Sequence, residues 1–261
     1  MPRMGTVNYH VHRPERQAFH IDAGGVVGKL LSPELSATQV AVRDVRTGEA
    51  EVSFQNDGIS FEILPSEVTS FKQNLDWKPI YETELRELLV SKIDAEEVVV
   101  FDHTVRVDDP TSVRKPARNV HSDYSPEGAH QRLIDILGEA KAREWSLGHY
   151  AFINVWRPIE SPINSAPLGF VRPSSVLKDD WVLIDLIYPE RKGHIMGLVA
   201  NEQHEWIYKS LMTPDELVFF NIYDNQGRPS IGHSALDLLE DPSNSTIRKS
   251  IETRTLVRFG S

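Results

Sequence analysis

The sequence predicts a mainly β protein of α+β type, a sandwich or jelly roll with flanking helices. Three observations carry this expectation. Short apolar runs recur between turn signals at 168–171, 181–187, 194–200, 205–209 and 216–223, the rhythm of a stacked or rolled pair of sheets. Helical periodicity is confined to two stretches, one after Lys78 and one after Ser125. The chain has 261 residues and no cysteine, and that length supplies a core without disulfide staples.

Composition removes several chemistries. Without cysteine there is no thiolate-ligated zinc, no iron–sulfur cluster and no thiol nucleophile. A formal charge of −10 argues against a nucleic-acid footprint and against an anionic membrane surface. The leading residues contain no apolar signal core, and no run approaches the ~18 apolar residues of a membrane span. The expectation is a soluble, cytoplasmic protein that meets a small-molecule substrate, with neither nucleic acid nor membrane as partner.

In chain order, His10 and His12 have H-x-H spacing but stand among arginines and prolines, which reads as an exposed or strand-edge pair. Residues 39–46 alternate apolar and polar, as a half-buried strand does. Gly48 and Asn56-Asp57-Gly58 read as hairpin turns, with 51–55 paired to 59–63, so the first quarter is expected to be a small β-meander. Tyr81, Leu85, Leu88 and Leu89 recur at three- and four-residue steps and mark an amphipathic helix to about residue 93. A short strand at 97–103 follows, with 104–107 pairing nearby. Ser125 and Pro126 have the residue types of a helix N-cap and first turn. The run 151–156 is a buried strand whose one polar member, Asn154, must find partners, either by bridging neighbouring strands or by facing a bound ligand. The final strand spans 248–259. The natural division is a lead-in of residues 1–110 wrapping a core of residues 111–261.

The chemistry begins at Val120-His121-Ser122-Asp123-Tyr124. His121 and Asp123 leave the same face of an extended segment, and imidazole beside carboxylate is half of a 2-His-1-carboxylate metal site. His233, just past an apolar strand, is the candidate third ligand. Arg248 and Ser250 share one face of the last strand, and a guanidinium with a hydroxyl suits a carboxylate. Arg254 lies on that same face; pairing with Glu252 or another carboxylate is the favoured expectation. Trp156 and Arg157 are candidate pocket residues. His103, ending a strand, could be a ligand but reads more readily as a satisfied structural group, His130 is expected at the surface, and His149, His194 and His204 have no partner at ligand spacing and are expected to be structural.

With these residues in view, the chain resembles the CmcJ/NvfI-like family of Fe(II)- and 2-oxoglutarate-dependent oxygenases, which takes in cephem methoxylase-related and gibberellin desaturase-like proteins. The resemblance rests on VHSDYSPEGA at 120–129, FINVWRPI at 152–159, MTPDEL at 212–217, GHSA at 232–235 and RKSIETR at 248–254. It extends more weakly to VRDVR at 42–46 and VFDH at 100–103. Gly232 departs from the pattern, since members of the family tend to carry proline there; the ligand is kept while the local backbone is freer.

The resemblance implies a double-stranded β-helix, cupin-like, forming a single oxygenase domain over residues 1–261. It implies Fe(II) on His121, Asp123 and His233, 2-oxoglutarate chelating that iron with its far carboxylate on Arg248 and Ser250, and dioxygen in the remaining position. Asn154 is expected beside the cosubstrate. The implied reaction is hydroxylation or desaturation of a small natural-product or amino-acid-like substrate in secondary metabolism, with release of succinate and carbon dioxide. A homodimer or a companion biosynthetic enzyme is a further expected partner. The contrasting possibility is a redox-inactive metal-binding jelly roll: an isomerase, a zinc hydrolase or an accessory protein.

Overall fold

A computed structural model describes residues 2–21, 27–31, 34–71, 76–190, 192–239 and 246–260. Two sheets face each other across an apolar interior. The smaller runs, in spatial order, β5 (Ile59–Ile63), β13 (Glu216–Asp224), β8 (His149–Pro158), β16 (Lys249–Phe259) and β6 (Ala95–Val107), every neighbour antiparallel. The larger begins β15 (Asp237–Leu238), β1 (Arg3–His10), β4 (Leu35–Asp44), β12 (Trp206–Tyr208), β9 (Leu168–Val171) and β14 (His233–Ala235). It continues with β7 (His121–Ser122), β11 (Lys192–Leu198), β10 (Trp181–Ile187), β2 (Gln17–Ile21) and β3 (Val27–Leu31). The architecture is a jelly roll, the double-stranded β-helix.

Aromatic rings tie the two sheets together. Phe170 of β9 meets Phe220 of β13 edge-on at 5.0 Å, and Phe220 meets the His233 ring at 4.9 Å. Phe152, Trp156 and Leu256 belong to this same inner cluster. On the outer face of the smaller sheet lies α2 (Lys78–Ile93). Its Tyr81, Leu85, Leu88 and Leu89 bury against Ile153, Val155, Leu217 and Ile251, the single apolar stripe that its spacing requires. The period of two along β8 and β16 therefore sends one set of side chains to this helix and the other into the roll.

Helix α3 (Pro126–Ser146) starts directly after the H-x-D stretch. The Ser125 hydroxyl accepts the Gly128 N–H at 3.0 Å and Pro126 occupies the first turn, where it has no N–H to lose. Ala129, Leu133 and Trp145 anchor it in the inner cluster. The cap thus fixes where the chain turns out of β7, three residues beyond Ser122.

Several local expectations are corrected. Residues 51–55 do not pair with 59–63. Ser53 instead caps a one-turn helix, α1 (Phe54–Asp57), and donates its own N–H to the Asp57 carboxylate at 3.0 Å; Gly58, at φ 69°, ends the turn. The first quarter is consequently no meander: β1 pairs with β4, while β5 crosses to β13 in the other sheet. The short strand expected at 97–103 and its neighbour at 104–107 are one strand, β6. His10 is not exposed but buried, with its ring against Phe19 and over Gly197, whereas His12 is exposed as expected.

Candidate metal centre

Strand β7 is only two residues long, yet it fixes the centre. His121 lies opposite His233 of β14 on one side and opposite Gly197 of β11 on the other. The two imidazoles are 4.5 Å apart between centroids. One ligand atom from each of His121, Asp123 and His233 lies within 4.8 Å of the others.

Both histidines are oriented from behind by carbonyls, which can only accept. His121 Nδ1 donates to the Asn119 carbonyl at 2.8 Å, and His233 Nδ1 to the Ile231 carbonyl at 3.2 Å. Each Nε2 lone pair is thereby left for the centre, the tautomer a metal needs. His121 Nε2 stands 3.6 Å from Asp123 Oδ1. The other oxygen, Oδ2, is already taken. It accepts the Asn154 amide N–H at 2.9 Å and the Arg254 Nε–H at 3.0 Å. Asn154 and Arg254 are direct cross-strand partners on β8 and β16, so one sheet supplies both donors. Two imidazole Nε2 atoms and a carboxylate oxygen thus converge, a donor set that suits a borderline divalent cation such as Fe(II).

The protonation states agree with this. Burial, helped by the field of His233, pushes His121 down to about 3. Burial by itself raises the Asp123 carboxyl, but Arg254, the two histidines and the Asn154 hydrogen bond outweigh it and hold the group far below the usual carboxylate range. Neither His121 nor Asp123 has to shed a proton near neutrality before it can bind a cation.

Behind the histidines is a narrow chamber of about 20 Å³, bounded by His121, His233, Trp156, Arg106, Arg248 and Glu252 among others. Arg248 is 2 % exposed, lies 5.3 Å over the Trp156 ring, and has its Nε and Nη1 without hydrogen-bond partners. Its Nη2 reaches the Ser250 hydroxyl at 3.4 Å. Burial lowers this guanidinium to about 9, still a cation at neutral pH. An orphaned buried fork beside a hydroxyl fits a carboxylate. A second cavity, of about 600 Å³, opens on the Asp123 side and is walled by Tyr124, Arg132, Leu186, Tyr188 and others. Its volume is that of a small-molecule site.

The remaining candidates divide. Trp156 faces the chamber. Arg157 does not, because its neighbour's inward side chain sends it to the helix face. There it donates to the Leu64 carbonyl at 2.6 Å with its guanidinium 5.4 Å over Tyr81. His103 bonds Thr253 and Glu82; His149, His194 and His204 pair with Asp224, Asp185 and Asp180. His130 is exposed. Arg254 does pair with Glu252, at 2.6 Å, and with Asp102 at 2.6 Å. Its grip on Asp123 was missed. The shared face with Arg248 and Ser250 was visible, but the register that aims it at β7 was not.

A family described as the oxidoreductase/YMDC permease-like domain matches residues 8–258. The hydroxylase/desaturase efuI of Hormonema carpetanum is 31% identical over 248 residues, spanning 84% of this chain and 82% of the relative. The Fe(II)/2-oxoglutarate-dependent dioxygenase nvfI of Aspergillus novofumigatus is 26% identical over 262 residues, spanning 97% and 83%. A solved structure of the iron and alpha-ketoglutarate-dependent endoperoxidase NvfI shares the fold, with a TM-score of 0.84 at 21% identity over 99% of this chain and 98% of that one. The relatives place the chain among non-haem Fe(II)- and 2-oxoglutarate-dependent oxidoreductases. The chain belongs to the NvfI-like family of these oxygenases, within the oxidoreductase/YMDC permease-like domain family.

Proposed function

We propose that the protein is an Fe(II)- and 2-oxoglutarate-dependent dioxygenase that hydroxylates or desaturates a small natural-product or amino-acid-like molecule. The carrying observation is a single arrangement: two histidines with Nε2 free, a carboxylate with one oxygen free, and an orphaned buried arginine in the adjoining chamber. His121, Asp123 and His233 would hold the iron, and Arg248 with Ser250 the far carboxylate of 2-oxoglutarate. When bound, iron and cosubstrate supply the oxidant, at the expense of dioxygen and with release of succinate and carbon dioxide.

The chain's own residues set the conditions. The Asn119 and Ile231 carbonyls accept from both Nδ1–H groups and so aim the two imidazoles. Asn154 and Arg254 hold Asp123 Oδ2, so that the carboxylate would offer Oδ1 alone to a metal. Asn154 therefore acts through Asp123 in this reading, not by direct contact with the cosubstrate. The inner aromatic cluster keeps water from the sheet side, and the larger cavity receives the substrate on the Asp123 side. A zinc hydrolase or an isomerase would leave Arg248 and Ser250 without a carboxylate to bind. Among the described residues no helix is long and apolar enough to cross a membrane; we place the enzyme in the cytoplasm, where Fe(II) and 2-oxoglutarate are supplied.

Anaerobic titration tests the reading. Fe(II) and 2-oxoglutarate added together are expected to give a weak visible charge-transfer band that neither gives alone. A spectrum that stays flat with both present would favour the redox-inactive alternative.

A further inference from the structure

The inner chamber holds one more cation than the Arg248–Ser250 pair requires. Arg106 on β6 lies directly across from Ser250 of β16, on the face that points into the roll. It lines the same chamber as Arg248, His121 and His233. Among the described residues its guanidinium makes one hydrogen bond, from Nη1 to the Lys115 carbonyl at 2.9 Å, and no ion pair. The two carboxylates whose charge acts on it, Glu252 and Asp123, are both held by Arg254, at 2.6 Å and 3.0 Å. Arg106 and Arg248 therefore both face one small space, and the carboxylate on its wall, Glu252, is held by Arg254. Burial lowers both, and the charge of Arg106 adds to the lowering of Arg248. A ligand with two carboxylates can meet both guanidinium groups, and a ligand with one carboxylate only one of them.

Position separates the roles of the two arginines. Arg248 lines the inner chamber alone, whereas Arg106 also walls the outer cavity together with Asp123 and Arg254. Arg106 is thus the cation on the metal side and Arg248 the cation on the far side. We propose that Arg106 is a second cosubstrate-binding residue, which grips the carboxylate next to the keto group of 2-oxoglutarate while Arg248 and Ser250 take the distal one. The inference rests on the cosubstrate reading above and deepens it: the site recognises a 2-oxo acid by both ends, through two guanidinium forks.

Calorimetry of the Mn(II)-loaded protein without turnover tests this with two ligands, 2-oxoglutarate and 2-oxovalerate, which lacks the distal carboxylate. Arg106→Gln is expected to weaken both acids by the same factor, roughly ten- to a hundredfold for loss of charge-assisted hydrogen bonds. Arg248→Gln weakens 2-oxoglutarate alone. Arg106→Lys, which keeps the charge but not the fork, gives a smaller loss with the same ligand pattern, and serves if the glutamine variant does not fold. Unchanged 2-oxoglutarate affinity in the Arg106 variants overturns the proposal and leaves Arg106 to the substrate cavity. A loss confined to 2-oxoglutarate overturns it too, since both arginines would then sit at the distal end. If the native protein binds neither acid, the cosubstrate reading falls and the role of Arg106 with it.

Discussion

Arg254 donates its Nε–H to Asp123 Oδ2 at 3.0 Å from a strand 131 positions further along the chain. With Asn154 on the same oxygen, it makes Asp123 a one-oxygen donor. Replacing Arg254 by methionine is expected to weaken Mn(II) binding roughly 10- to 100-fold, the usual effect of losing a residue that orients a metal ligand. It also strands Glu252 and Asp102, so the metal-free protein should lose about 3 kcal/mol of stability. Arg254→Lys should recover part of both. Unchanged metal affinity in Arg254→Met would show that Asp123 needs no such support.

Metal removal should itself be visible as stability. A cation that binds only the folded centre contributes about 2.7 kcal/mol when present at a hundred times its dissociation constant. The urea midpoint of the native protein is therefore expected to rise on addition of Mn(II) and to fall back with chelator. His233→Ala should show neither change. An equal response in native and variant proteins would place the metal elsewhere.

His10 links the amino-terminal strand to the centre. Its ring lies over Gly197, whose backbone pairs with His121. Burial pushes this histidine down from 6.5 to about 4. The folded state thus resists a proton that the unfolded chain accepts. The stability that His10 contributes is complete above pH 6.5, declines as the pH falls, and is gone below about 4. Across that window the advantage of native protein over His10→Leu should shrink by up to about 3 kcal/mol. Denaturant melts of the chelated proteins at several pH values would measure it, and parallel curves would refute it.

Gly232 stands one residue before His233. A Cβ there would lie 2.4 Å from Leu198 Cδ1, and Leu198 is fully buried. The space that a side chain would take at Gly232 is therefore filled by Leu198. Gly232→Ala is expected to cost about 1–3 kcal/mol through overpacking. Adding Leu198→Ala should give a double variant more stable than the two single losses predict when summed. Simple additivity would mean that the two sites do not touch in this way.

Much of the centre was legible because its parts obey short-range rules. His121 and Asp123 share a face through the period of two, as do Arg248, Ser250 and Arg254. A lone amide in the apolar run 151–156 announced that Asn154 needed a partner. The strands after residue 168 declared themselves by spacing. What escaped depends on long-range register. That Arg254 sits beside Asn154 and Asp102, with a bulge on β6 immediately after it, follows from how three strands align, and no local pattern encodes that alignment. Arg106 has no local signature; its place follows from the pairing that sets it opposite Ser250. His10 was misread because its apolar surroundings, Phe19 and the strand carrying Gly197, come from elsewhere in the chain. The hairpin expected at 51–63 lost to a local hydrogen bond, since Ser53 and Asp57 cap a helical turn.

The most direct test of the central claim is succinate formation. Native protein supplied with Fe(II), 2-oxoglutarate and air should convert the cosubstrate to succinate, slowly without substrate, while His121→Ala and Asp123→Ala under the same conditions should form none above the protein-free background. Succinate produced by either variant at the native rate would contradict the assignment of His121, Asp123 and His233 as the iron centre.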